Sequence, residues 1–318
     1  MIRRIVRIVR LTFRMHRFEV GAIVVLGALL VLGSIIASWA LANVGLGPDC
    51  QPNFQTGELP ESCIAQYEAF NRIASLASPV SALIVLYPII AGLLIGGPVI
   101  AREVERGTTS LAWSLSPSRL RWFMHRVVPM IVMVLAMTFI VGTAADHLTR
   151  ALTPETDLAE SFVGFRLRGV LMATQAFLLA STAVAVGALF GRAVPTFLLG
   201  LILGMLTIVA VGLLHRQILL DEAVVQRQDE TTFYSNDDLY LDNRLELPDG
   251  RLVTYEELIR IDPAAFESEF GPQYPSVALI IPGDRYRAVE TREAAAELVI
   301  GLLFLVGGAF VVIRRRPT

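Results

Sequence analysis

The sequence predicts an all-α polytopic membrane protein with six transmembrane helices. An N-terminal amphipathic helix and a small mixed α/β extracytoplasmic domain, between spans five and six, complete the predicted fold. The 318 residues are 54% hydrophobic and only 18% charged, which is more apolar than a water-soluble core of this size requires. Six stretches also reach the roughly 20 apolar residues that a helix needs to cross about 30 Å of hydrocarbon. Lipid is therefore the predicted surrounding of most of the chain.

The predicted spans are separated by segments of contrasting charge. They cover residues 20–42, 78–100, 127–145, 169–190, 194–214 and 295–313. Several prolines fall inside the second and third spans, where neighbouring helices can satisfy the carbonyl groups that proline frees. These prolines therefore do not argue against the assignment.

Arginine predicts the orientation of the spans. All 27 basic residues are arginine, and 15 of them, with only three acids, fall in segments 1–19, 101–126, 191–195 and 314–316. These segments carry a net charge of +12, whereas the rest of the chain carries −14. Because basic residues are retained on the cytoplasmic side, both termini are predicted to be cytoplasmic, in a bacterial inner membrane.

Residues 1–19 are predicted to form an interfacial helix. Their arginines recur with alternating spacings of four and three, opposite an apolar face, at Arg3, Arg7, Arg10, Arg14 and Arg17. Such a helix lies in the membrane surface, with its arginines on anionic lipid headgroups. The alternative is a plain topology signal without a helix in the membrane surface.

The segment 216–293 changes to an acidic, mixed composition and predicts the extracytoplasmic domain. Two short strands are expected around the turn at 248–250. Thr254 and Glu257 have the spacing of a capping box at the start of a following helix. On the same side, Cys50 and Cys63 are predicted to form a disulfide across a short loop, the alternative being two unpaired thiols.

Several classes of function are disfavoured. The chain has no lysine, and a P-loop needs one on the nucleotide phosphates, so any ATP and Mg²⁺ would be bound by a partner chain. Ion-coupled carriers keep ionisable groups at membrane depth, whereas here such groups, among them Asp146, His215 and Glu297, fall near span ends. No catalytic motif or metal-ligand spacing is present. We therefore expect neither an enzyme nor a nucleic-acid-binding protein, and no cofactor or metal on this chain.

Small and polar residues in the spans suggest packing surfaces. Pairs of glycines four residues apart occur in the second, fourth and fifth spans, and such pairs let helices approach closely. Gly200 and Gly204 of the fifth span are candidates for an interface with a second subunit. The alternative is packing inside one bundle. The fourth span carries a polar cluster of candidate passage-lining residues, Thr174, Gln175, Ser181 and Thr182. A helix–helix hydrogen bond is the alternative for this cluster.

The loop after the second span carries the most specific pattern. It reads Glu103-Val104-Glu105-Arg106-Gly107-Thr108, followed by Pro117-Ser118-Arg119. The charges predict a short helix along the membrane, broken at Gly107 and restarted after Pro117. Chemistry alone indicates a cytoplasmic contact surface.

With these motifs, the six spans and the basic tail, the chain resembles the permeases of type-2 ATP-binding-cassette exporters. The resemblance covers nearly the whole chain. It implies that residues around 102–116 form a coupling helix that docks on an ATPase subunit, with a role for Arg102, Glu103, Glu105, Arg106, Gly107, Thr108, Pro117 and Arg119. It likewise implies two ATPase copies and a second permease, identical or homologous, packed through the fifth span.

The expected function is therefore that of a permease in an ATP-driven exporter. The largely apolar interior favours a lipophilic or amphipathic substrate. The alternative is a membrane sensor or scaffold, in which the acidic outer domain binds a ligand and the spans anchor it.

Overall fold

The computed structural model describes residues 10–46, 50, 59–114, 116–227, 237–262 and 274–315. Six of its helices are long and apolar enough to cross a membrane. They are α1 (Arg17–Val44), α2 (Ile64–Glu105), α4 (Arg119–Leu152), α5 (Gly169–Phe190), α6 (Ala193–Glu222) and α8 (Tyr286–Arg314). The shorter helices are α3 (Thr109–Ser114) and α7 (Tyr255–Ile261). Each predicted span lies within one long helix, so the prediction of six spans is confirmed.

Helix α5 is the centre of the bundle. It is buried along most of its length and packs against α2, α4, α6 and α8. Glycines on its neighbours allow this close packing. A Cβ atom at Gly92 of α2 would lie 2.7 Å from the carbonyl oxygen of Ala176, and one at Gly200 of α6 would lie 3.2 Å from Cα of Ala183.

The Gly92→Ala substitution is expected to lower the free energy of unfolding by about 1–3 kcal/mol, because the added methyl meets the backbone of α5. Gly307→Ala on α8 is the matched control, since a Cβ atom there has nothing within 4 Å. Thermal unfolding in detergent would compare the two variants. Equal midpoints would contradict the close approach of α2 and α5.

A four-stranded antiparallel sheet forms between α6 and α8. Its strands are β1 (Val224–Arg227), β2 (Leu239–Glu246), β3 (Leu252–Val253) and β4 (Ser276–Ile281), in the order β1-β4-β2-β3. The central strand β4 is almost wholly apolar and buried, as expected for a strand covered on both faces. We call residues 223–285, of which the structure describes 223–227, 237–262 and 274–285, the sheet domain.

The predicted turn and capping box are present in the sheet domain. Strands β2 and β3 flank a turn in which the amide of Gly250, at φ 82°, donates to the carbonyl of Leu247 at 2.8 Å. The amide of Thr254 donates to Glu257 Oε2 at 2.9 Å, and the amide of Glu257 donates to Thr254 Oγ1 at 3.2 Å. The backbone hydrogen bond from Thr254 holds the pKa of Glu257 below its usual range.

The sheet domain is packed onto the helix ends. Phe162, Leu219, Ile281 and Tyr286 belong to one buried apolar cluster that joins the sheet, α6, α8 and the loop before α5. Burial of this cluster provides the main apolar attachment of the domain. The sheet is therefore a continuation of the bundle at one of its ends.

The arginine-rich segments that are predicted to be cytoplasmic lie together at the end of the bundle opposite the sheet domain. Arg119 donates to the carbonyl of Ile313 at 2.9 Å, and Arg315 donates to the carbonyl of Ala188 at 2.7 Å. We call this end, formed by residues 10–19, 101–126, 188–193 and 313–315, the arginine-rich end. Residues 10–15 are helical here, while the predicted Arg3 and Arg7 lie outside the described residues.

Candidate functional site

The connection from α2 to α3 turns at Gly107. This residue has φ 66° and lies just after the end of α2, where the left-handed conformation favours glycine. Its amide donates to the carbonyl of Val104 at 3.0 Å, and the amide of Thr108 donates to the carbonyl of Glu103 at 3.2 Å. The predicted break at Gly107 is confirmed.

Helix α4 begins directly after the Pro117-Ser118 pair. The hydroxyl of Ser118 caps it by accepting from the amide of Arg121 at 3.2 Å. Serine is among the preferred residues for this position, because its oxygen satisfies an unpaired amide of the first turn. The predicted restart of the helix after Pro117 is confirmed.

Ion pairs join the end of α2 to the two neighbouring helices. Glu103 is only 6% exposed, and its Oε1 lies 2.9 Å from Nε of Arg126 on α4. Arg102 pairs with Glu19, a buried residue in the first turn of α1. A buried carboxylate with a cationic partner resists separation, because breaking the pair leaves a charge without compensation.

Two further contacts join the loop to α6 and α8. Glu105 Oε2 accepts from the amide of Ala193, the first residue of α6, at 3.0 Å, where the helix dipole favours a negative charge. Arg119 donates to the carbonyl of Ile313 on α8, and its guanidinium lies 4.5 Å from the ring centroid of Trp113. The loop is thus held by four of the long helices besides its own.

The structure divides the eight residues predicted for coupling into two groups. Arg102, Glu103, Glu105 and Arg119 make the internal contacts described above. The other four residues, Arg106, Gly107, Thr108 and Pro117, are exposed, and so is Glu105. Leu111 of α3, which sequence reasoning did not single out, is 65% exposed beside them. The turn and α3 are therefore exposed together, whereas the carboxylate of Glu103 is buried.

A cleft of about 1310 Å³ separates this loop from the N-terminal segment. It is lined on one side by residues between 11 and 19 and on the other by residues between 102 and 126. Its walls are strongly basic, with arginines from both sides.

The polar cluster of α5 faces the interior of the bundle. Thr174, Ser181 and Thr182 are at most 3% exposed, and Gln175 is half-buried. Thr174 donates a hydrogen bond to Glu297 of α8, which is the helix–helix bond given as the alternative. Lining of a passage by this cluster stays a prediction.

Gly200 and Gly204 also face the interior. A Cβ atom at Gly204 would lie 2.6 Å from Cδ2 of Leu179 on α5, so this pair serves the packing of α6 on α5 of the same chain. This is the packing inside one bundle that was given as the alternative. Spacing of small residues predicts close approach, but does not identify the approaching helix.

A buried charged cluster at the domain end was missed by sequence reasoning. Glu293 of α8 is 3% exposed, and its two oxygens contact Nε of Arg166 at 2.7 Å and Nδ1 of His215 at 2.9 Å. One helical turn further on, Glu297 is 1% exposed and accepts from Thr174. His215 and Glu297 therefore lie near span ends, as predicted, but they are buried.

A signal for this cluster exists in the sequence. Glu293 and Glu297 are four residues apart and so lie on one helical face, directly before an apolar stretch. The neighbouring Asp146 pairs with Arg168 at 3.2 Å, which in turn donates to the carbonyl of Ser161 at 3.0 Å. The charges at this end thus hold the loop before α5 against α4 and α8.

Cys50 and Cys63 form a disulfide, with their Cα atoms 5.2 Å apart. The predicted pairing is confirmed. It closes the connection between α1 and α2 at the end of the bundle that carries the sheet domain.

Comparison with known proteins places these features in a family. No curated protein and no solved structure matches the chain. The family described as ABC-2 membrane transporter related matches residues 20–216, which is more than half of the chain and includes the first five spans and the loop at 101–126. The chain therefore belongs to the ABC-2 membrane transporter related family.

Proposed function

We propose that the chain is the permease subunit of an ATP-driven exporter, with ATP and Mg²⁺ bound by two copies of a separate ATPase subunit. The arginine-rich end faces the cytoplasm, and the sheet domain lies outside. The observation that supports this proposal most directly is the anchoring of the 102–119 loop to α1, α4, α6 and α8. A loop with these contacts transmits a displacement to most of the bundle, whereas a free loop would absorb it.

The docking surface comprises the exposed turn at 106–108 and helix α3. Nucleotide-driven closure of the ATPase subunits would push on this surface and reorient the long helices. The apolar interior of the bundle favours a lipophilic or amphipathic substrate. Such a substrate is compatible with a central helix whose polar groups are few and buried.

A second permease, identical or homologous, completes the transporter. Because α5 packs against Gly200 and Gly204, the second permease would contact the opposite face of α6. That face presents Leu198, Ile202 and Leu206, each at least 55% exposed in the single chain.

Purification in mild detergent, after co-expression with the neighbouring genes, tests the proposal. An ATP-hydrolysing P-loop subunit should be retained on the tagged chain and should carry all the ATPase activity. Recovery of the chain without such a subunit would contradict the exporter and favour a sensor or scaffold built around the sheet domain.

Leu111→Glu is expected to reduce retention of the ATPase by about tenfold or more, because it introduces a charge into an apolar contact. Ile259→Glu is the matched control, since Ile259 is also an exposed aliphatic residue on a short helix, at 52% exposure, but lies in the sheet domain. Quantitative pull-down measures both variants. Equal retention would exclude α3 from the docking surface.

A further inference from the structure

The cleft at the arginine-rich end has an excess of positive charge. Its walls contain six arginines and two glutamates. Both glutamates are already paired, Glu19 with Arg102 and Glu103 with Arg126. The other four arginines form no ion pair with any residue that the structure describes, and they are Arg14, Arg17, Arg106 and Arg121. Four positive charges therefore face one cleft without a counter-charge from the described chain.

A buried histidine lies in the wall of the same cleft. His16 is 3% exposed, and neither of its ring nitrogens has a hydrogen-bond partner among the described residues. Burial lowers the pKa of His16, against an opposing effect of Glu19, which favours the neutral ring with one N–H to donate. Buried polar groups are normally hydrogen-bonded, which points to an acceptor atom from a ligand.

The cleft lies at the depth of lipid headgroups. Helix α1 has 28 residues and is therefore about 42 Å long, which matches the membrane thickness including the headgroups and exceeds the hydrocarbon core. Its first turn, which lines the cleft, then lies in the headgroup layer.

Apolar side chains surround the cleft on the N-terminal side. Leu11, Met15 and Phe18 line it and are 53%, 45% and 74% exposed. Exposed apolar groups beside arginines match a molecule that has an anionic head and an acyl tail. This combination favours a lipid over a free ion or an acidic protein segment.

We infer that this cleft binds the phosphate of an anionic phospholipid of the inner leaflet, with Arg14 and Arg121 as charged partners and His16 as a neutral donor. Arginine suits this role because its planar fork donates two parallel hydrogen bonds to phosphate oxygens. The lipid would fill the space between the N-terminal segment and the coupling loop. Binding of this lipid does not depend on the presence of an ATPase.

Native mass spectrometry of the purified full-length chain tests the inference. The probes are phosphatidylglycerol, zwitterionic phosphatidylcholine and inorganic phosphate, added separately. Arg14→Gln combined with Arg121→Gln is expected to weaken phosphatidylglycerol binding about 30-fold, from about 1 kcal/mol per arginine. The matched control, Arg251→Gln with Arg260→Gln, removes the same charge from the sheet domain and should bind as the wild type does.

Several results would overturn the inference. Equal retention of the two lipids would show that headgroup charge is not recognised, and binding of inorganic phosphate without phosphatidylglycerol would identify a free-anion site. Unchanged lipid binding together with loss of ATPase retention would assign the cleft to subunit docking. If the double variant does not fold, Arg121→Gln alone should still weaken lipid binding about fivefold, and no change would refute the assignment.

Discussion

Replacement of Glu293 by alanine is expected to destabilise the protein by about 3–5 kcal/mol. The carboxylate is 3% exposed and compensates both Arg166 and His215. Its removal leaves the buried ring of His215 without its partner, and a buried polar group without a partner is costly. The side chain of Arg166 is 41% exposed and also loses its counter-charge. Thermal or chemical unfolding in detergent, followed by circular dichroism, measures the loss.

Glu222→Ala is the matched control. Glu222 forms a bidentate ion pair with Arg292, at 2.7 and 3.0 Å, and so joins the same two helices, α6 and α8. Both side chains are more than a third exposed, and solvent screens such pairs. The control should therefore unfold much closer to the wild type, and equal destabilisation by both substitutions would contradict the importance of burial.

The buried charged cluster around Glu293 could not be predicted from the pattern of charges along the sequence. Apolar length fixed the six spans correctly, because crossing the hydrocarbon requires it. The apolar length of the sixth span places Glu297 near the end of that span but gives no information on which residues contact it. Those partners belong to α5, α6 and the loop before α5, and only the packing of α8 on these elements determines that the acids are buried.

Local patterns were reliable where their partners are close in sequence. The Thr254 and Glu257 capping box, the break at Gly107 and the Cys50–Cys63 pairing all connect residues within one short segment. The contacts of Gly200 and Glu105 depend on helices far along the chain. Their residue types predicted close packing and a charged contact, and in the structure Gly200 packs on α5 and Glu105 contacts α6. The residue types alone do not identify these helices.

Strand β4 has a local sequence signal but was not predicted. Its run Ser276–Ile281 is short, apolar and follows Pro275, which is a recognisable strand signal. The two strands that were expected are those on either side of the turn at 248–250. Without a turn signal of its own, β4 was missed, although it is the strand that joins β1 to β2.

Glu103→Ala is expected to leave the ATPase bound but to uncouple it from transport. The substitution removes the partner of Arg126 and so loosens the loop from α4, with a loss of stability of about 3 kcal/mol. The exposed surface at 106–111 remains available for docking. Loss of one contact in a coupling network changes the coupling by about 0.5–2 kcal/mol, or about 2- to 30-fold, so transport per ATP hydrolysed should fall within that range.

Reconstituted vesicles that contain the permease and its ATPase measure both quantities. Glu68→Ala is the control, because Glu68 is an exposed acid on the same helix, α2, near its opposite end. If Glu103→Ala instead abolishes ATPase retention while the control does not, Glu103 acts in docking itself. An unchanged ratio of transport to hydrolysis would show that the Glu103–Arg126 contact stabilises the fold without transmitting movement. Only a lower ratio with intact retention assigns the loop its role as a rigid connection between the ATPase and the spans.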